Sequence, residues 1–280
     1  MLPIRRFIDD QSFLTKRNQV GVVLKLAGID DQCLTPTTLE TYTRRIAAAW
    51  RSFDEQFRVY QYVVKQDHAP IQRQLASSDP VVAQTVANRT AFLESRSHSL
   101  YSIRLFVVVL LDPGPVERRH GFSNRSAIRK SAAQLRRNQT ILRQHVDSFV
   151  RTIGDLLGTT PLGKTEAFQF FRLLANLDQD LGAAERLKHD SHVDYYLSSV
   201  PLSCTSEGIR IGDAELQVLS LREPPATTFP NVLRDLLAIM ATSFFARSSS
   251  EFPTRRQLHV PHRITFTGPS GYRTCPRSSA

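Results

Sequence analysis

The residues that could do chemistry are gathered in Gly158-Thr-Thr-Pro-Leu-Gly-Lys-Thr165, which spells G-x-x-x-x-G-K-[ST]. In a phosphate loop of that spelling, backbone N–H groups cradle the phosphates. The lysine reaches the β- and γ-phosphates, and the Ser/Thr hydroxyl holds magnesium. Gly158, Gly163, Lys164 and Thr165 would then bind nucleotide. Asp112 closes the apolar run 105–111 and mimics the magnesium aspartate of nucleotide hydrolases, but it lies upstream of the string, where those enzymes place it downstream. His189 and His192 with Asp194 could suggest a metal site, yet the sequence places no further ligand to complete one, and the segment reads as a polar connection. No G-x-S-x-G occurs, so nucleophilic catalysis has no support.

A phosphate loop must leave a buried strand and enter a helix. Ahead of Gly158, the residues Val146, Phe149, Val150, Ile153, Leu156 and Leu157 recur by threes and fours, which is helical spacing. Gly158 then reads as a helix stop, and Thr165 opens the next helix. Pro161 also removes one amide from any cradle. The string is expected to join helix to helix, with no complete nucleotide-hydrolase domain, no catalytic residue and no cofactor for this chain.

The elements around it predict an α+β chain of small antiparallel sheets with packed helices, one of them long and basic. Residues 12–27 read as a hairpin whose second arm alternates Val20, Val22, Leu24 and Leu26. Thr35-Pro36 starts a helix with Leu39, Ile46, Trp50 and Phe53 on its buried stripe. Strands follow at 57–64 and 101–111, with a helix near 80–97 between them. A long helix over about 126–157 carries Ile128, Ala132, Leu135, Leu142, Val146, Phe149 and Ile153, with Gln139 interrupting the seam. The helix at 165–177 is its expected neighbour. A second hairpin turns at Gly212-Asp213, and Pro230 opens a short helix. The expected divisions are 1–113, an α+β unit; 114–240, a helical and hairpin unit with the basic helix; and 241–280, a tail outside the fold. That tail has no apolar period and reads as disordered or as the out-of-frame end of an interrupted gene.

Net charge is +10 over 280 residues, and it is local. Residues 118–143 hold eight Arg/Lys and no acid. Arg129, Lys130, Arg136, Arg137 and Arg143 fall off the apolar stripe and form a solvent or partner face for anionic lipid, nucleic acid or an acidic partner. The absence of an interleaved aromatic platform argues against base stacking and sequence-specific nucleic-acid binding. Cys33, Cys204 and Cys275 have no paired spacing, which fits a reducing compartment. The longest apolar run, 105–111, falls well short of the roughly 20 residues of a spanning helix.

Three blocks resemble the CagE/TrbE/VirB family, the large ATPases of bacterial type IV secretion and conjugation systems. The first runs from Ile8-Asp-Asp-Gln-Ser-Phe-Leu-Thr-Lys through Gly28-Ile-Asp to the strand at 57–65. The second is Leu162-Gly-Lys-Thr-Glu-Ala-Phe-Gln-Phe-Phe-Arg-Leu-Leu-Ala-Asn176. The third runs from Ile211-Gly-Asp through Leu219-Ser-Leu-Arg-Glu-Pro-Pro to Phe229-Pro-Asn-Val-Leu. The resemblance covers about residues 8–240 and implies the family's N-terminal region. In intact members ATP and magnesium bind in a C-terminal domain that this chain is expected to lack, as a truncated member. It further implies docking to inner-membrane components of the secretion channel, a cytoplasmic location peripheral to the inner membrane, and a homo-oligomeric state left open. The competing reading is a self-sufficient nucleotide hydrolase using Gly158–Thr165. What precedes Gly158 discriminates the two: a strand for the enzyme, a helix for the docking region.

Overall fold

The computed structural model describes residues 4–29, 34–67, 71, 79–112, 124–176, 186–205, 209–212, 214–220, 244–251 and 263–269. In chain order the strands are β1 (Ile4–Phe7), β2 (Ser12–Thr15), β3 (Val20–Leu26), β4 (Phe57–Asp67), β5 (Tyr101–Leu111), β6 (Thr160–Pro161), β7 (Leu202–Cys204), β8 (Ile209–Ile211), β9 (Ala214–Ser220), β10 (Phe244–Glu251) and β11 (Arg263–Pro269). The helices are α1 (Pro36–Trp50), α2 (Pro80–Glu94), α3 (Asn124–Leu157) and α4 (Lys164–Asn176). The fold is α+β and antiparallel throughout, as expected. The hairpins are joined into one sheet of order β1-β2-β3-β5-β4-β10-β11-β9-β8-β7, with β6 added beside β3.

Local chemistry sets the helix starts. Thr35 caps α1 by accepting from the Thr38 N–H at 3.2 Å, with Pro36 in the first turn. Asp79 does the same for α2, accepting from the Val81 N–H at 2.8 Å. The apolar run of β5 is continuous because both faces of the sheet are covered. Val107, Val109 and Leu111 belong with Val20, Val22, Leu24, Phe57 and Val59 in one buried layer. Phe106, Val108 and Leu110 belong with Phe13, Val23, Tyr62 and Val64 in the other.

The first layer is closed by Leu142, Val146, Phe149 and Ile153 of α3, with Ala49 of α1 and Phe53 just beyond it. The second is closed by Phe168, Phe170 and Phe171 of α4, and by Val193 and Leu197 from the segment after it. The expectation that α4 covers the stripe of α3 is therefore corrected. The two helices lie on opposite faces of the sheet, and α1 is the neighbour of α3. The stripe of α3 needed an apolar surface, and the sheet supplies it directly.

Two stretches of the expected tail are described, and both are strands of the sheet. Residues 244–251 form β10, which pairs with β4 from Phe244↔Lys65 to Glu251↔Arg58, and 263–269 form β11 between β10 and β9. Backbone ladders need no apolar period, so composition alone did not reveal these strands. The short helix expected at Pro230 lies outside the described residues.

Gly21 shows how tightly the second layer is built. A Cβ there would stand 2.4 Å from the Phe13 ring and 2.5 Å from Leu110. Phe13 in turn meets Phe171 edge-on at 5.0 Å. Gly21→Ala should destabilise the fold by about 1–3 kcal/mol, the usual effect of overpacking. A fall in the urea midpoint at unchanged slope is the expected reading, and an unchanged midpoint would show that Phe13 yields freely.

Candidate functional site

The string 158–165 is the passage of the chain from one face of the sheet to the other. α3 ends at Leu157, and Gly158 has φ +56°, the left-handed conformation that closes a helix. A side chain there would stand 2.8 Å from the Ala27 Cβ. The Leu157 carbonyl, left open by the helix end, accepts the N–H groups of Ala27 at 2.8 Å and Gly28 at 3.2 Å.

The next residues complete β3. β2 pairs with β3 only over Val20, Gly21 and Val22, and β6 continues that edge with Leu24↔Pro161 and Lys25↔Thr160. The Leu162 N–H donates to the Val23 carbonyl at 2.9 Å. In an antiparallel ladder hydrogen-bonded pairs alternate with open ones, so the Leu24–Pro161 pair is an open one. Proline stands where no N–H is required. α4 then begins on Gly163, whose carbonyl accepts from the Ala167 N–H at 2.8 Å and whose own N–H donates to Glu166 Oε2 at 3.2 Å.

Thr160, Leu162 and Gly163 thus have committed N–H groups, and Pro161 has none. The string has a helix before it and a helix after it, which is the arrangement expected of the docking region. Lys164 Nζ contacts the Asp190 carboxylate at 3.1 and 3.2 Å, and Thr165 is exposed. Sequence reasoning left Lys164 without a partner. Asp190 carried no signal, because it approaches through the bond from the Phe7 N–H to its carbonyl at 2.7 Å.

Asp112 is held locally. It accepts from Gln19 Nε2 at 3.1 Å and pairs with Arg58 Nε at 3.4 Å. It lies past Leu111, the partner of Val20, whereas the string pairs with Leu24 and Lys25 further along β3. Asp194 pairs with Lys16 Nζ at 2.8 Å, and the His192 ring lies against Tyr195. Among the described residues, no group of three or more His, Cys, Asp and Glu is placed to hold a metal ion.

The basic face divides in two. Arg129 and Lys130 lie in the early turns of α3, and Arg136 and Arg137 are exposed. Arg143 is also exposed and donates to Asp9 Oδ2 at 2.7 Å, so part of its charge is already paired within the chain. Gln139, read as a fault in the seam, donates to the same oxygen at 2.8 Å and to Ser12 Oγ at 3.1 Å. Burial pushes the Asp9 carboxyl up. The N–H groups of Gln11 and Ser12, the Ser12 hydroxyl and Arg143 outweigh this and hold it below its ordinary value of 3.8. The turn Asp9-Asp10-Gln11-Ser12 carried a local signal, since an aspartate bonding amides two and three residues on is a common turn device. Its long-range partners had none.

A second polar clamp was also not foreseen. Arg172, 1% exposed, donates to the Tyr196 carbonyl and to Ser199 Oγ, each at 2.6 Å. Asn176 donates to the Leu197 carbonyl at 2.9 Å and accepts the Ser199 N–H at 2.7 Å. Together they pin residues 196–199 over α4.

Two predictions follow from these contacts. Asp9 is ionised more readily in the folded chain, so its contribution is present above the unfolded value and lost as pH falls through the folded one. Asp9→Asn should lower stability at neutral pH and flatten the loss of stability below about pH 4, measured by urea melts across a pH series. Lys164→Ala removes an exposed ion pair of the kind worth about 0–1 kcal/mol, so its melting temperature should stay within a few degrees of the parent. Calorimetry should show no saturable ATP–magnesium binding at sub-millimolar concentration. Binding that vanishes in Lys164→Ala would restore the phosphate loop.

No described helix is long and apolar enough to cross a membrane. No curated protein matches the chain. Residues 11–119 match the family model described as "Type IV secretion system ATPase VirB4/TrbE, N-terminal domain". The match takes in β2, β3, α1, β4, α2 and β5, and so the centre of the sheet. Over residues 11–119 the chain carries the N-terminal domain of the type IV secretion system ATPase VirB4/TrbE family.

Proposed function

We propose that this chain is a docking region of a type IV secretion or conjugation ATPase, engaging inner-membrane components of the channel from the cytoplasmic side. The observation that carries the reading is the commitment of the Thr160, Leu162 and Gly163 N–H groups to β3 and to the start of α4. It argues against a nucleotide site at 158–165, and the concentration of cations beyond the matched domain, in α3, favours a contact role. ATP and magnesium belong, on this reading, to intact family members. Arg129, Lys130, Arg136 and Arg137 are the candidate contacts. Exposure of Arg136 and Arg137 supports them, as does the concentration of eight Arg/Lys without an acid in residues 118–143.

The test is recovery of the purified chain on inner-membrane vesicles with and without the secretion channel. Recovery should be higher with the channel. It should drop severalfold when Arg129, Lys130, Arg136 and Arg137 are all replaced by Gln. Equal recovery of parent and variant on both membranes would return these residues to plain solvation.

A further inference from the structure

The cations of α3 are not scattered. At 100° per residue, Arg129 and Arg136 fall on one line along the helix, and Lys130 and Arg137 on a second. Between the two lines run Ala133 and Thr140, both exposed and uncharged. Leu135 is the first residue of α3, among those described, that packs against a core layer, while Ala132, Ala133 and Gln134 are exposed. Ala132, Ala133 and Gln134 thus lie about one turn ahead of the first part of α3 described as packed on the sheet. Arg143 would continue the first line, but its guanidinium is tied to Asp9. Arg136 and Arg137 are the members of the strip described as exposed.

Resting on the docking reading, we infer that this strip is a binding surface for the headgroups of anionic phospholipids. Cations that recur at seven-residue spacing in two rows along one helix match a plane of phosphates, and the described pair, Arg136 and Arg137, is exposed to meet it. From 124 to 148 the sequence has no Phe, Tyr or Trp. The strip therefore offers no side chain to stack on a base, and adsorption is electrostatic, without apolar insertion. The Asp9–Arg143–Gln139 contacts fix the helix against the turn between β1 and β2, so the strip is presented at a set angle to the sheet.

The test uses the full chain with vesicles of phosphatidylcholine alone and of phosphatidylcholine containing phosphatidylglycerol. The parent should bind only the second kind and release with added salt, as screening of exposed charges demands. Arg136→Gln/Arg137→Gln should weaken binding at least tenfold. Arg17→Gln/Arg151→Gln removes the same charge from exposed sites elsewhere and should bind like the parent. An equal loss in both double variants would overturn the inference in favour of net charge alone. Tighter binding to duplex DNA than to the anionic vesicles, at one salt concentration, would overturn it in favour of a nucleic acid. Binding to channel-bearing membranes with none to phosphatidylglycerol vesicles would overturn the lipid surface while keeping the docking reading. Binding to none of these would overturn both.

Discussion

The unpaired edge of β3 beyond Val22 is the constraint on which the architecture turns. β3 is central to the sheet and buried on both faces, so its polar groups must all find partners. β5 serves one side along its whole length, but β2 stops at the Ser12↔Val22 pair. The chain itself returns after 130 residues to finish the other side, with Leu162 on Val23, Thr160 beside Lys25, and the end of α3 receiving the Ala27 N–H. The same few residues must also carry the chain from the α3 face to the α4 face. A glycine with positive φ, a proline at an open ladder position and a glycine at a helix start meet those demands in order. The sequence that results happens to spell a nucleotide motif.

Placing α3 and α4 on opposite faces decides what the polar contacts have to do. Each helix buries its apolar side against the sheet, so the ends and flanks are held by a small number of bonds. Asp9 takes Gln139 and Arg143 and fixes α3 to the first hairpin. Arg172 and Asn176 fix the segment 196–199 to α4, beneath which Phe168, Phe170 and Phe171 fill the second layer. Arg45 holds α1 to the end of α3 through Asp155 at 2.8 Å and the Thr152 carbonyl at 2.7 Å. Of the cations of α3, Arg143 is engaged by Asp9 at the surface, while Arg136 and Arg137 are exposed.

Much of this was legible in residue order. The hairpin at 12–27, the strand 101–111 and the helices α1, α3 and α4 follow from alternation, from threes and fours, and from caps such as Thr35-Pro36. Those signals are local, and each element answers to its own side chains. The pairing of α3 with α1 was not legible, because an apolar stripe says that it must be covered and not by what. Nor were Asp9 with Arg143 or Lys164 with Asp190, where the partners are brought together by the sheet. β10 was invisible for a related reason. Phe244-Phe-Ala-Arg-Ser-Ser-Ser-Glu251 has no strand period, and its place rests on the backbone of β4.

Gly158–Thr165 shows why a motif is a statement about backbone before it is one about side chains. A phosphate loop works because several consecutive N–H groups lack protein partners and converge on one point. Lys164 could be moved by rotation about its own bonds, so its contact with Asp190 alone would not disqualify it. The amides are a stronger argument. Freeing those of Thr160 and Leu162 would strip β3 of its ladder beside Val23 and Lys25, and freeing that of Gly163 would undo the bond to Glu166 at the start of α4. The Leu162 N–H and the Val23 carbonyl are at buried residues, and either left without a partner would cost about 1–3 kcal/mol, against the few kcal/mol that separate folded from unfolded domains. The fold and the cradle therefore compete for the same atoms, and in this chain the fold holds them.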